Sequence, residues 1–243
     1  MEIAITTTDL QINFGHVVAL ASVSISVPAG ASLAVVGSNG SGKSTLLGAL
    51  AGLHKPALGS VQLFDTPSLV LQATEVADDL PITVRDTVKL ARYPSVGLFR
   101  RFGATDNHEV DRALEQMHVA NLADKALHHL SGGQRQRVLM AQGLAQRSRV
   151  LLLDEPMTGL DVTSRQVVLD VIAEETDAGH VVVTTTHSLA DATECDLVLL
   201  LDTTAVAFGS PAEVLTETHL RRTFGHRVIQ VGDDLVVDDH HEH

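Results

Sequence analysis

The sequence predicts an α/β fold: a mainly parallel sheet with a helical insertion partway along it. Three features point there. From Val150 onward, strand-like and helix-like stretches alternate, the pattern of parallel strands joined by crossover helices. The strands of that half are short, unbroken apolar runs (Val150 to Leu153, Val181 to Val183, Leu197 to Leu201), as expected of strands covered on both faces. Between about residues 73 and 149 the chain turns charge-rich and helix-like, which interrupts the alternation.

Taken in order, residues 1–36 read as β-rich. Ile3 to Ile5, Val23 to Val27 and Leu33 to Val36 are strand-like, and Pro28-Ala29-Gly30 marks a turn. Ser44 to Leu53 reads as a helix, and Val61 to Phe64 and Leu69 to Gln72 as strands. In the insertion, Val84 to Ala91 and Val110 to Met117 have amphipathic helical spacing, while Arg92 to Gly103 (RYPSVGLFRRFG) is a basic loop. Then come a strand at 150–154, a helix at about 163–177, a strand at 181–186, a helix at about 189–194 and a strand at 197–201. The last residues, GDDLVVDDHHEH, form a polar tail with a short hairpin.

Composition narrows the function classes. Hydrophobic residues make up 44% of the 243, enough for a sizeable core, and aromatics only 3%, so that core is aliphatic. A formal net charge of −13 argues against nucleic acid as a partner, which needs a basic face. The single cysteine, Cys195, excludes an internal disulfide and suits a reducing compartment. There is no leader-like basic and apolar start, and no apolar run approaches the roughly 18 residues that span a bilayer. The expectation is a soluble chain that reaches a membrane only through a partner.

Three stretches carry chemistry. Gly37-Ser38-Asn39-Gly40-Ser41-Gly42-Lys43-Ser44, followed by Thr45, matches the phosphate-binding loop pattern and lies between a strand and a helix, the context that separates such a loop from an ordinary Gly-rich turn. Its amides wrap phosphates, Lys43 reaches the terminal phosphates, and Ser44 ligates Mg²⁺. LLLDE (151–155) ends an apolar strand in two carboxylates, which is costly unless a cation meets them. Asp154 would hold Mg²⁺ through water, and Glu155, pointing elsewhere, could deprotonate the attacking water. Gln72, at a strand end, could reach Mg²⁺ or that water, and is otherwise a surface residue. His187 ends the strand beside the one that finishes at Asp154, so it would face the γ-phosphate and donate a hydrogen bond there.

The third stretch is LSGGQRQRV (130–138). Ser131 can cap a helix whose exposed amides attract an anion, so one small chain carries two anion-seeking sites.

With these residues in order (Phe14, GSNGSGKST, Gln72, LSGGQ, LLLDEP, GLD at 159–161 and His187) the sequence resembles the ATP-binding subunit of ABC transporters over about residues 3–225. The resemblance implies a P-loop NTPase (RecA-like) core with an N-terminal antiparallel β subdomain and an inserted α-helical subdomain. It makes residues 1–225 the nucleotide-binding domain and 226–243 a tail. It implies a homodimer, head to tail, with ATP between one subunit's phosphate loop and the other's LSGGQ. Phe14 then stacks on adenine; Ser131, Gly132, Gly133 and Gln134 serve the γ-phosphate in trans; Asp161 links the two sites; Glu155 is the base and His187 clasps the γ-phosphate. Ser38 stands where many members have Pro, which removes no ligand, and Phe14 replaces the commoner Tyr, since stacking needs only the ring.

LQATEVADDLPITVRDTVKLARYPSVGLFRR (71–101) resembles the subfamily of metal-chelate importers for manganese, zinc and iron, with PMTGLD in agreement. That likeness implies integral membrane permease subunits as partners, with 71–101 touching their coupling helix. It also implies an extracytoplasmic metal-binding protein and a place on the inner face of the cell membrane. Siderophore and cobalamin importers share parts of the stretch, and an exporter differs only in its membrane partner. A soluble ABC ATPase of DNA repair or translation would need a long coiled-coil insertion or two cassettes, with a basic surface, and none is present. His240, His241 and His243, among Asp238, Asp239 and Glu242, read as a solvated tail or as a site for a borderline cation; the second reading tips the cargo towards zinc.

Overall fold

Side-chain alternation along five short strands decides where every layer lies. The computed structural model describes residues 2–72, 82–96, 102–225, 228–231 and 234–237. In chain order these form β1 (Ile3–Phe14), β2 (Val17–Pro28), β3 (Ser32–Val36), α1 (Lys43–Leu50), β4 (Leu58–Leu63), β5 (Ser68–Val70), α2 (Val84–Leu90), α3 (Tyr93–Val96), α4 (Ala104–Gln116) and α5 (Gly132–Ala145). There follow β6 (Val150–Leu153), α6 (Val162–Asp177), β7 (Val181–Thr186), α7 (Leu189–Thr193), β8 (Leu197–Asp202), β9 (Thr204–Gly209), α8 (Pro211–Val214), α9 (Glu217–Phe224), β10 (Val228–Val231) and β11 (Asp234–Val237).

The central sheet has the order β5-β6-β7-β3-β8-β9, parallel throughout except for β9, which returns antiparallel to β8. Successive side chains point to opposite faces. On one face Leu33, Val35, Leu152, Val183, Leu199 and Leu201 pack against α1 and the antiparallel sheet β2-β1-β4. On the other, Leu151, Leu153 and Val182 join α2, α4, α5 and α6, while Ala34, Val36, Val198 and Leu200 meet α7, α8 and α9. Thus α1, which follows the phosphate loop, and α5, which follows LSGGQ, lie against opposite faces of one sheet. β10 and β11 pair as a separate hairpin.

The α/β fold with its antiparallel β subdomain and helical insertion is the one expected, and its edges differ in three instructive ways. β1 and β2 are far longer than their apolar cores, because a sheet with one solvent face needs an apolar residue only at alternate positions. That alternation is broken by a bulge, where Asp9 and Ser22 take left-handed backbones and Ser22 Oγ donates to Asp9 Oδ1 at 2.9 Å. The edge strand β9 and the helices α8 and α9 were not anticipated, since their faces are only partly apolar. Arg92, read as part of a basic loop, is buried: its guanidinium donates to Asp106 of α4 and to the carbonyl of Ala145 at the end of α5. The loop stretch itself begins with the single turn of α3, and residues 97–101 of it lie outside the described residues.

Candidate functional site: the phosphate loop and its carboxylates

The loop grows from the C-terminal end of β3, where Val36 is fully buried. Any Cβ on Gly37 would run into the carbonyl of Leu201 and into Ser41 Oγ, so the turn out of the sheet admits only glycine. Gly42, at φ 102, precedes α1 and brings no side chain to cap it. The first-turn amides of α1 are therefore left for an anion, which a helix N-terminus favours. Lys43 is buried, and its Nζ donates to the carbonyls of Gly37 (2.8 Å) and Ser38 (3.1 Å), which holds it against the start of the loop.

The carboxylates stand beside it because β6 and β7 end there. Ser44 Oγ lies 3.3 Å from Asp154 Oδ1, and Thr185 Oγ1, inside β7, donates to the same oxygen at 2.6 Å. Glu155 has a left-handed backbone, φ 46, unusual for a side chain with a Cβ, and donates its N–H to Thr185 Oγ1 at 2.9 Å. Its carboxylate accepts from Thr158 Oγ1 at 3.1 Å and lies 3.8 Å from His187 Nδ1. The structure thus gathers Lys43, Ser44, Asp154, Glu155 and His187 at one end of the sheet, where ligands of open α/β sheets bind. Gln72 is exposed, two residues beyond β5, and among the described residues no hydrogen bond joins it to Ser44 or Asp154. Phe14 is 50% exposed at the tip of β1, with His54 edge-on to it at 5.1 Å between centroids.

The second stretch forms a reciprocal cap. Ser131 Oγ accepts from the N–H of Gln134 at 3.3 Å, and Gln134 Oε1 accepts from the N–H of Ser131 at 3.1 Å, which starts α5. The hydroxyl hydrogen of Ser131 and the amide hydrogens of Gln134 are not used by this box. Gly133 faces the segment before α6: a Cβ there would stand 3.5 Å from Leu160 Cδ2 and 3.8 Å from Asp161 Oδ2. Asp161 caps α6, accepting from Ser164 N (2.8 Å) and Ser164 Oγ (3.0 Å), and the Ser164 amide above all holds its carboxyl below the usual range. LSGGQ and GLD are therefore neighbours within one chain.

The model of the ABC transporter family matches residues 20–158. The chain belongs to that family. Among its relatives are the "Chelated iron transport system membrane protein YfeB" of Yersinia pestis, 34% identical over 235 residues (92% of this chain and 79% of that protein), and the "Manganese transport system ATP-binding protein MntA" of Synechocystis, 38% identical over 218 residues (85% and 84%). A solved transporter described as of the metal-chelate type, in an inward-facing conformation, superposes with a TM-score of 0.85 at 27% identity, covering 97% of this chain and 96% of that one. This ABC protein is an ATP-binding subunit and an ATPase.

In this ABC ATPase the Ser44 and Asp154 oxygens suit a hard cation. They stand 3.3 Å apart, a hydroxyl beside a carboxylate. The donor set of hydroxyl and carboxylate is the oxygen chemistry Mg²⁺ prefers. The tail histidines His240, His241 and His243 lie outside the described residues, and among the described ones no group of three or more His, Cys, Asp or Glu side chains could hold a metal. Likewise, no helix among them is long and apolar enough to cross a membrane. Sequence reasoning missed Thr185. Its signal was present as three threonines closing an otherwise valine strand, VVVTTT.

Proposed function

We propose that this subunit hydrolyses ATP as a head-to-tail dimer and powers an importer of a divalent metal, with zinc first among the candidates. The observation that carries the reading is the clustering of Lys43, Ser44, Asp154, Glu155 and His187 at the end of the sheet, while α5 presents LSGGQ from the opposite face. A single chain so built offers its phosphate loop one nucleotide and offers its signature to the nucleotide of another chain. In that dimer Phe14 supplies a ring face for adenine, and the loop amides and Lys43 hold the phosphates. Ser44 and Asp154, with Gln72 brought up alongside, would hold Mg²⁺, which when bound neutralises phosphate charge. Glu155 accepts a proton from water placed between its carboxylate and the γ-phosphate, and His187, across 3.8 Å, donates to that phosphate. Across the interface the free donors of Ser131 and Gln134 meet the same phosphate, with the Gly132 and Gly133 amides behind them. Asp161, next to Gly133, carries the state of one site to the other.

The exposed apolar side chains Leu71, Leu90 and Tyr93 flank the stretches at 73–81 and 97–101 and support a permease docking on the helical insertion. An extracytoplasmic metal-binding protein would then act through that permease. Zinc rather than manganese or iron rests on the His-rich ending. Glu155→Gln tests the core of the reading. With the base neutral and the volume unchanged, ATP should bind and lock the dimer, so size-exclusion chromatography with ATP should shift the variant to twice the monomer mass. Hydrolysis at the native rate would remove Glu155 from the role of base.

A further inference from the structure

The last three residues of β7 are threonines in a strand that needs none. Thr184, Thr185 and Thr186 are 0%, 0% and 5% exposed, and valine has the same shape and suits a strand equally well. A buried hydroxyl is tolerated when it is hydrogen-bonded, so each of the three can be asked what it holds. Thr186 Oγ1 accepts from Ser188 N at 3.0 Å and donates to Asp191 Oδ2 at 3.1 Å, which pins the turn carrying His187. Among the described residues, Thr184 Oγ1 reaches only the neighbouring Thr185 carbonyl, at 3.5 Å. Thr185 differs from both. It spends its one donor on Asp154 Oδ1 (2.6 Å) and one lone pair on the Glu155 N–H (2.9 Å).

These two bonds bear on consecutive residues with different tasks. The first holds Oδ1 of the Asp154 carboxylate, the oxygen that Ser44 Oγ also approaches, at 3.3 Å. The second satisfies the amide of a residue whose backbone sits at φ 46, a region that a side chain with a Cβ occupies only when its surroundings hold it. Strand order makes the bridge: β6 and β7 pair in parallel with Leu153 opposite Thr184, so Thr185 comes level with Asp154 and the start of Glu155.

We propose that Thr185 is a positioning residue for ATP hydrolysis, one hydroxyl that sets the Asp154 carboxylate for Mg²⁺ and at the same time the backbone that aims Glu155. The proposal rests on the roles given above to Asp154 and Glu155. It is tested on the full chain with Thr185→Val, Thr185→Ser and Glu155→Gln side by side. Two quantities are read: ATP turnover, and the Mg²⁺ concentration that half-saturates the rise in affinity for a fluorescent ATP analogue. Partners that orient a metal-ligating carboxylate are worth about 10- to 100-fold, so Thr185→Val should lower kcat and raise the Mg²⁺ half-saturation each by roughly 10-fold or more. Thr185→Ser, which keeps the hydroxyl, should stay within about threefold of native in both. At saturating Mg²⁺, KM for ATP should hold in both variants, because the phosphate loop is untouched. If Thr185→Val does not fold, Thr185→Cys, with a weak donor of similar size, should show the same two losses. A folded valine or cysteine variant with native turnover and native Mg²⁺ dependence overturns the proposal, and so does a serine variant that loses as much as the valine one. Native hydrolysis by Glu155→Gln would instead overturn the base assignment, and the Mg²⁺ measurement on Thr185 would still stand.

Discussion

Arg92→Met should destabilise the protein by about 3 kcal/mol, because one guanidinium ties three helices of the insertion together. Arg92 follows α2; its Nε and Nη2 donate to Asp106 Oδ1 at 3.2 and 3.0 Å in the first turn of α4, and its Nη1 donates to the Ala145 carbonyl at the end of α5 at 3.0 Å. The two side chains are 10% and 15% exposed. Breaking a fully buried pair costs about 3–5 kcal/mol, since the surviving charge is left without its partner; the residual exposure here lets water reach Asp106, which favours the lower end. For a chain of this size each kcal/mol shifts Tm by about 2–4 °C, so a fall of roughly 6–12 °C is expected. Methionine keeps the length and apolar contacts of the stem. The control is the double variant Arg92→Met with Asp106→Asn. It removes the carboxylate charge that Arg92 neutralises and keeps an amide oxygen for the Gly103 N–H that Asp106 now receives at 3.0 Å. The double variant should recover about 1–2 kcal/mol relative to the single one. Thermal and urea unfolding of the native protein, Arg92→Met, Asp106→Asn and the double variant measure this. A loss below about 1 kcal/mol in the single variant, or a double variant whose loss is the sum of the two single losses, would refute the reasoning that Arg92 and Asp106 form one buried unit.

Ser131→Arg should abolish hydrolysis while leaving nucleotide binding to the monomer intact, checked by turnover beside analogue affinity; unchanged turnover would sink the shared site. Cys195 is packed among Ala34, Val36 and Val198, and burial first, with the nearby carboxylates of Asp196, Asp191 and Glu194, pushes its thiol up to about 12. A maleimide should therefore leave the native protein unlabelled at neutral pH and label it in denaturant. The thiol has its folded value raised, so its contribution to stability is present below the ordinary thiol range and lost as pH climbs from there towards 12. Ending the chain after Val237 should leave ATPase activity intact and remove zinc binding; if a zinc titration cannot tell the two lengths apart, the metal reading of the tail is wrong.

Much of this was legible in the sequence for a physical reason. The phosphate loop is contiguous: its glycines, Lys43 and Ser44 act through local backbone shape, so order and spacing suffice to find them. The same holds for the Ser131–Gln134 cap, which spans three residues, and for the two carboxylates closing β6. The parallel strands were readable because burial on both faces leaves unbroken apolar runs. Where one face meets water the reading faltered, as in β1, β2 and β9, since half of each strand is polar and a bulge shifts the alternation.

By itself, then, the sequence determined the family, the nucleotide loop and the two carboxylates that close β6, because each depends on neighbours in the chain. The tertiary structure decided what those residues stand next to. The strand order β6-β7-β3 sets Asp154 and Glu155 level with Thr185 and near His187, at separations of about 30 residues that no local pattern encodes. It also buries Arg92, which its sequence neighbours marked as surface. The alternation of side chains across one sheet sends α1 to one face and α5 to the other. That last decision is a matter of which face each helix can bury. It leaves the two anion-seeking stretches of one chain on opposite faces of one sheet, the arrangement on which the proposed dimer rests.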